Sequence, residues 1–433
     1  MLTNIKQILT EIDGMSGWKV TEGTTSSKEL FFVKDKLDMN RGKDVKYYEI
    51  TVYKAFEENG KKYMGSSSVK VADNMMIDEI KERIENALYA ASFVKNEYYP
   101  LVKKSDKTFP ILQSSLEGDA LAHAEKLVKA AYKHNGIEEC HVNSLELFIN
   151  EKTNRLVTSE GIDYTFKGYG GEIEVITDCS LGEPVEIFND ILFADLCETQ
   201  IEDEIKEQLI KTRERSEAEQ VKLMEDVDVI ISGGDLAAFF DFYVDQANAQ
   251  LVYEKISKAA IGENIQGEAI KGDKINIVLD PFMPNSTASR PFDADGVVLE
   301  PIRIYEDGVV KTFHGSNRFA SYLGIEATGS IGNVSVLGGQ YKESELKAKP
   351  HVELVTFSDF QMDTLTGDFG GEFRLGRYFD GEKTTPITGG SIMGNIFKMQ
   401  KELYFSQEVE QHNNFKGPKA VLFKHMTVSG QVE

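Results

Sequence analysis

The chain has 433 residues, 41% of them hydrophobic, and its 71 acidic and 48 basic side chains give a formal charge of −23. That length predicts two domains of roughly 200 residues, each able to bury a core. The negative field repels phosphate backbones and no basic stripe offsets it, which argues against direct nucleic-acid binding.

In chain order, a helix is expected over about 2–13, where apolar and charged residues alternate at helical spacing. Without a long uncharged apolar run, this segment reads as neither a signal peptide nor a membrane span. Strand-like segments "ELFFVKDKLD", "KYYEITVYKAFEENG" and "KKYMGSSSVKV" follow, with a turn signal at Glu58-Asn59-Gly60. The next helix, "MMIDEIKERIENALYAASFV", places Ile77, Ile80, Ile84, Leu88 and Ala91 on one face. After a Pro- and Ser-containing linker (about 100–116) the order recurs. The helix "EGDALAHAEKLVKAAYKHN" precedes strands over "HVNSLELFINEKTNRLVTSEGIDYTFKGYGGEIEVITD" and the charged helix "CETQIEDEIKEQLIKTRERSEAEQV". The repeat is one of element order, without residue identity. Asp119 and His123, one turn apart, read as a solvated helix side. Cys140, Cys179 and Cys197 are widely spaced with no CxxC, which suits buried structural thiols in a reduced, cytoplasmic compartment.

From about 226 the texture changes. "VDVIIS" is a short buried strand, and Gly233–Lys255, "GGDLAAFFDFYVDQANAQLVYEK", is a helix-like run with Asp235 as its N-cap. Glycine-punctuated strands follow: "KINIVLDP", "GVVLEPIRIYEDGVVKTFH", "HVELVTFSD", "GDFGGEFRLGRYFDG" and "KAVLFKHMTVSG". Two further helices are expected, "SNRFASYLG" and "GSIMGNIFKMQKEL". The fold class is α+β. An N-terminal α/β domain (1–225) carries a duplicated helix–β-meander–helix pattern, and a C-terminal β-rich domain (226–433) forms barrel- or sandwich-like antiparallel sheets.

Several residue sets admit chemistry. Asp241 and Asp245, one turn apart beside the apolar face of Leu236, Phe239, Phe240, Tyr243, Val244, Ala247 and Leu251, read as metal ligands or an acid/base pair, or as the solvated edge of a packing helix. Glu408, Glu410 and His412 alternate, so a strand would put them on one face as a metal set or as an ordinary solvent face. Arg290, Asp293 and Asp295, in "NSTASRPFDADGVVLEPIRIYEDGVV", line a groove or form a local salt-bridged turn. No glycine cluster has the spacing of a phosphate cradle.

Taken together, "STASRPFDADGVVLEPIRIYEDGVVKTFHGSNRFASYLGIEATGSIGN", "TLTGDFGGEFRLGRYFDGEKTTPITGGSIMGNIFKM" and "VLFKHMTVSG" resemble the TldD/PmbA family of TldD/TldE peptidases, formerly described as modulators of DNA gyrase. The resemblance covers about 226–433 and implies a bacterial, cytoplasmic peptidase that processes or degrades unfolded peptides. In that family one subunit type carries HExxxH on a central helix, with a later cysteine completing a zinc site. The other type lacks these ligands and pairs with the first. Here the matching positions, within a residue or two, are Ala237 to Phe242, "AAFFDF", and no cysteine follows Cys197. Ala237, Ala238 and Phe242 thus stand where ligands and general base would be, which implies a non-catalytic, TldE/PmbA-like subunit with no cofactor of its own. Zinc is then expected on a TldD-like HExxxH partner, a homodimer is one form open to the chain in isolation, and the sequence leaves its oligomeric state undecided. Candidate substrate-groove residues are Arg290, Asp293, Asp295, Gly296, Thr366, Gly367, Asp368 and Asn395. The competing readings are a self-sufficient metal-dependent hydrolase and a protein-level regulator of DNA gyrase.

Overall fold

Two three-stranded meanders join edge to edge in the N-terminal half of the computed structural model, which describes residues 1–431. The first comprises β1 (Gly17–Val33), β2 (Lys36–Glu58) and β3 (Lys61–Ala72); the second comprises β4 (Cys140–Thr158), β5 (Asp163–Cys179) and β6 (Val185–Phe193). Their first strands pair antiparallel, so the sheet order is β3-β2-β1-β4-β5-β6. Helices α1 (Leu2–Glu11) and α2 (Ile77–Ala91) cover one half, burying Ile5, Ile80 and Ile84 against Val20 and Ile50. Helices α3 (Ala120–Ala131) and α4 (Glu198–Ser216) cover the other half, burying Leu127, Ile201 and Leu209 against Leu145 and Val175. The duplicated pattern is therefore a duplicated half-sheet, each half with its own helix pair. Asp119 caps α3, its carboxylate accepting the Leu121 and Ala122 N–H groups.

The hairpin at Asn59-Gly60 turns where the sequence signals it, with both residues at positive φ (53° and 75°). Two features differ from expectation. "ELFFVKDKLD" is not one strand: the chain reverses between Val33 and Lys36, with Lys34 at φ 54°. β6 is a third strand of the second meander, lying beyond the segment expected to hold strands.

The C-terminal half is β-rich. Strands β7 (Glu219–Gln220), β8 (Met224–Ser232), β13 (His351–Met362), β14 (Asp368–Phe379), β15 (Thr384–Thr388), β16 (Gly390–Asn395) and β20 (Ala420–Ser429) share one sheet, with β17 (Leu403–Phe405) paired to β20. Because β13 pairs with both β8 and β14, the strands β13-β8-β20-β16-β14 close into a five-stranded barrel. All its pairs are antiparallel except β13–β8. A second sheet runs β11-β10-β9-β12-β19-β18, from β9 (Ile277–Leu279), β10 (Ile302–Glu306), β11 (Val309–Val310), β12 (Val334–Val336), β18 (Val409–His412) and β19 (Phe415–Pro418). Between barrel and sheet lies α5 (Leu236–Gln246), followed by α6 (Ala249–Tyr253). Shorter helices are α7 (Asn317–Leu323), α8 (Glu343–Leu346) and α9 (Ile396–Met399).

The segment 390–403, read as one helix, is strand over its first six residues. Its Ile392–Ile396–Met399 spacing imitates a helical face, but β14 supplies six consecutive partners from Phe373 to Asp368 for residues 390–395, and only α9 remains helical. No helix among the described residues is long and apolar enough to cross a membrane.

Candidate functional site

The β8–α5 turn is made by Gly233 at φ 85° followed by Gly234. Asp235 occupies the cap position but has helical dihedrals, and its carboxylate bonds no first-turn N–H. This corrects the expected N-cap: the carbonyls of Gly233 and Gly234 instead take the Leu236 and Ala237 N–H groups at 3.2 and 3.0 Å. The run to Lys255 is also not one helix. It breaks at Ala247-Asn248, and Asn248 caps α6 by accepting the Gln250 N–H at 2.9 Å. His314 holds the break, its Nε2 2.8 Å from the Val244 carbonyl and its backbone bridged to Asn248.

Along α5, Leu236, Phe239, Phe240, Phe242 and Tyr243 are wholly buried. The Phe239 ring meets Phe369 and Phe423 edge-on at 5.7 and 5.1 Å, on the barrel side. Phe240 stacks on Phe415 of the second sheet at 5.7 Å and also meets Phe405 of β17. Phe242, absent from the apolar face read in sequence, packs edge-on against Phe397 at 5.3 Å. The helix is thus buried on two opposite sides. Zinc needs nitrogen, sulfur or carboxylate donors at about 2.0–2.3 Å, whereas Ala237, Ala238 and Phe242 offer only carbon. The side chains at these positions do not fit a zinc site.

Asp241 is exposed and Asp245 half-buried, on the stripe of α5 that the rings leave free. Desolvation, then the Asp245 charge, raises the Asp241 pKa to about 6. Desolvation also raises Asp245, opposed by a Thr364 hydrogen bond and by His314. Glu408, Glu410 and His412 do not share one strand face, because β18 begins only at Val409. Glu408 turns to accept the Glu343 N–H at the start of α8, while Glu410 meets His412 Nε2 at 2.8 Å. Among the described residues no group of three or more His, Cys, Asp or Glu side chains is placed to hold a metal ion.

A cleft of about 540 Å³ opens at the N-terminal end of α5, between the N-terminal sheet and the barrel. It is lined by Gly233–Asp235, by Glu204, Glu207 and Lys211 of α4, by Ile187–Asp190 of β6 and by Val355–Phe357 of β13. Its floor is ionic: buried Glu353 meets Lys347 at 2.8 Å and Arg377 at 3.6 Å, and Arg377 also holds Glu214. Burial works against the Glu353 charge, but these cations keep its pKa below the usual value. Burial likewise opposes the His412 charge, yet Glu410 and Glu204 raise its pKa and favour imidazolium. A second cleft of about 700 Å³ adjoins the first and shares Ile187, Phe188, Thr356 and Phe357 with it.

Both clefts run between two open strand edges. β6 ends its sheet and, among the described residues, is paired only with β5. β13 is paired with β8 only at Val352–Leu354, so from Val355 its outer edge has no strand partner among the described residues. Bulges at Leu354/Thr356, Thr356/Phe357 and Phe357/Asp359 interrupt the regular pairing of this strand with β14. Sequence reasoning missed this pair of edges; the Val185, Ile187, Ile191, Phe193 pattern was the signal for β6.

The eight candidate groove residues fall in two places. Asp293 is internal, its carboxylate accepting N–H groups of Asp295, Val297 and Ser330. Asp295 docks the loop on the N-terminal sheet through Lys19 at 2.7 Å, and Gly296 lies against Ile162. Arg290 donates to the Ser330 carbonyl and lines a separate cleft of about 660 Å³. Thr366, Gly367 and Asp368 form the β13–β14 turn, where Asn395 bonds the Thr366 carbonyl and the Asp368 carboxylate at 3.0 and 2.7 Å. That turn packs on the far end of α5, where Gln246 donates to the Thr364 carbonyl.

Comparison with known proteins places these features. Residues 224–430 match the PmbA/TldA metallopeptidase C-terminal domain. An uncharacterized protein of Methanocaldococcus jannaschii is 29% identical over 169 residues, covering 36% of this chain and 40% of the relative. Metalloprotease PmbA of Escherichia coli O157:H7 is 25% identical over 171 residues, 38% of each. The matched region thus spans about two-fifths of the length of these curated relatives. The crystal structure of TldE from Thermococcus kodakarensis superposes with a TM-score of 0.79 at 17% identity, covering 99% of this chain and 100% of that one, and so shares its fold.

Proposed function

The chain belongs to the TldD/PmbA family of metallopeptidase-like proteins, and from that premise we propose that it is a TldE/PmbA-like, non-catalytic subunit. In this reading it binds unfolded peptide in the cytoplasm and leaves hydrolysis to a partner bearing HExxxH and zinc. What supports this is α5: the positions that the resemblance matches to HExxxH, within a residue or two, hold Ala237, Ala238 and Phe242, and the helix is filled with interlocking rings.

The chemistry left to this chain is recognition. A peptide added as a strand between β6 and the outer edge of β13 would be held by main-chain hydrogen bonds, largely without regard to sequence. Folded proteins expose few free strands, so unfolded segments are selected. Phe188, 58% exposed on β6, gives the edge an apolar contact, and the charged floor suits solvated side chains. The eight groove candidates act in this reading as scaffold around the channel, with Arg290 bordering its own cleft.

The test is metal analysis of the purified chain together with peptidase assays, alone and mixed with an HExxxH homologue. Zinc well below one equivalent and cleavage only in the mixture are expected. One tightly bound equivalent, or cleavage by the chain alone that disappears in Asp241→Asn or His412→Ala, would overturn the reading in favour of a self-sufficient hydrolase.

A further inference from the structure

Cys140 opens β4 and Cys179 closes β5, and the two are direct partners across that antiparallel pair. Residues opposed in this way have Cα atoms about 4.5–5.5 Å apart, inside the roughly 4.4–6.8 Å that a disulfide spans. Both thiols are free and buried, and the Cys140 thiol donates to the Glu138 carbonyl at 3.5 Å. Burial opposes ionisation of Cys179, but the Cys140 thiol, the Leu181 N–H, the Ser216 hydroxyl and the Arg213 charge outweigh it and lower its pKa. Burial and then Cys179 push the Cys140 thiol upward. Cys179 also lines the 700 Å³ cleft beside β6, whereas Cys140 lies behind it with no exposed surface. The pair thus combines a cysteine in the wall of a cleft, a thiolate-stabilising shell and a second cysteine directly opposite it. Cys197, though less buried, has no second cysteine opposite it: it sits at the start of α4, and burial pushes its pKa up to about 12.

We propose that Cys140 and Cys179 form a peroxide-reactive dithiol that closes reversibly to a cross-strand disulfide. The Cys179 thiolate attacks one oxygen of hydrogen peroxide, the O–O bond breaks, and the departing hydroxide takes a proton to become water. Cys179 is then a sulfenic acid. The Cys140 sulfur attacks it, giving up its proton, and the hydroxyl leaves as the second water. Two thiols lose two electrons to one peroxide, which is reduced to two waters. A thiol reductant reverses the bond by exchange. The disulfide ties the open end of the β4–β5 hairpin, directly beside the β6 wall of the cleft, and the inference stands independently of the peptidase reading.

The experiment treats the reduced, purified chain with hydrogen peroxide, counts thiols after denaturation, and maps non-reduced peptides by mass. Two of the three thiols are expected to disappear with loss of two hydrogens, in a peptide joining Cys140 to Cys179, and to return with dithiothreitol. Cys197→Ser should leave that peptide intact. Retention of all three thiols, a bond through Cys197, or over-oxidation of Cys179 without the joined peptide would overturn the proposal. The mapping uses the natural chain, so failure of a variant to fold leaves the result decisive.

Discussion

At the scale of single residues, the rings on α5 and the carboxylates beside them answer different questions. Phe239 is wholly buried between Phe369 and Phe423, so Phe239→Ala should lower stability by about 3–5 kcal/mol in urea unfolding. A loss under about 1 kcal/mol would mean the core collapses to refill the space. Asp241 has the opposite character. Its pKa of about 6 in the folded chain lies above the ordinary value near 3.9, so the folded state favours the protonated form. Its contribution to stability is therefore lost as pH rises from about 4 through 6. Asp241→Asn should be the more stable protein above pH 6, by less than about 1 kcal/mol because an exposed carboxylate is solvent-screened, and equal to the parent near pH 4. A urea-midpoint difference unchanged between those pH values would contradict this.

At the scale of elements, legibility followed the local signal. Asn59-Gly60 announces its hairpin because only a positive-φ pair makes that turn cheaply, whereas Lys34 adopts φ 54° with no residue type to betray it. β16 was hidden because its apolar spacing fits a helix, and only the partners on β14 decide for strand. Cys140 and Cys179 could be brought together only by the register of a long hairpin, which carries a bulge at Val142/Ser144. The apolar run Leu236–Phe240 was legible as sequence, but the second buried side of α5, through Phe242 and Phe397, was not. The loop 293–296 was left open between groove and salt-bridged turn, and the Asp293 staple and the Lys19–Asp295 pair describe a docked turn. Gly296 is its tightest point: φ is 92°, and an added Cβ would come within 2.5 Å of Ile162 Cδ1. Gly296→Ala should cost at least about 1 kcal/mol and loosen the contact between the two halves. Limited proteolysis of the 100–116 linker, which neighbours this junction, should accelerate; unchanged cleavage would sink that assignment.

At the scale of the molecule, the charge of −23 disfavours compactness by self-repulsion. Raising salt from about 0.01 M to 1 M shortens the screening length from about 30 Å to 3 Å, so the melting temperature should climb with ionic strength. A fall would show that the ion pairs of the cleft floor outweigh the repulsion.

The order in which the barrel strands occur along the chain sets a folding constraint. β8 comes first and β20 last, yet they are neighbours, and β20 also supplies Phe423 against Phe239. A growing polypeptide therefore carries the greasy α5 uncovered through synthesis of the intervening strands. The seal forms only when Ala420–Ser429 emerges, which makes the nascent chain a client for holding factors and makes any truncation before residue 420 an aggregation hazard.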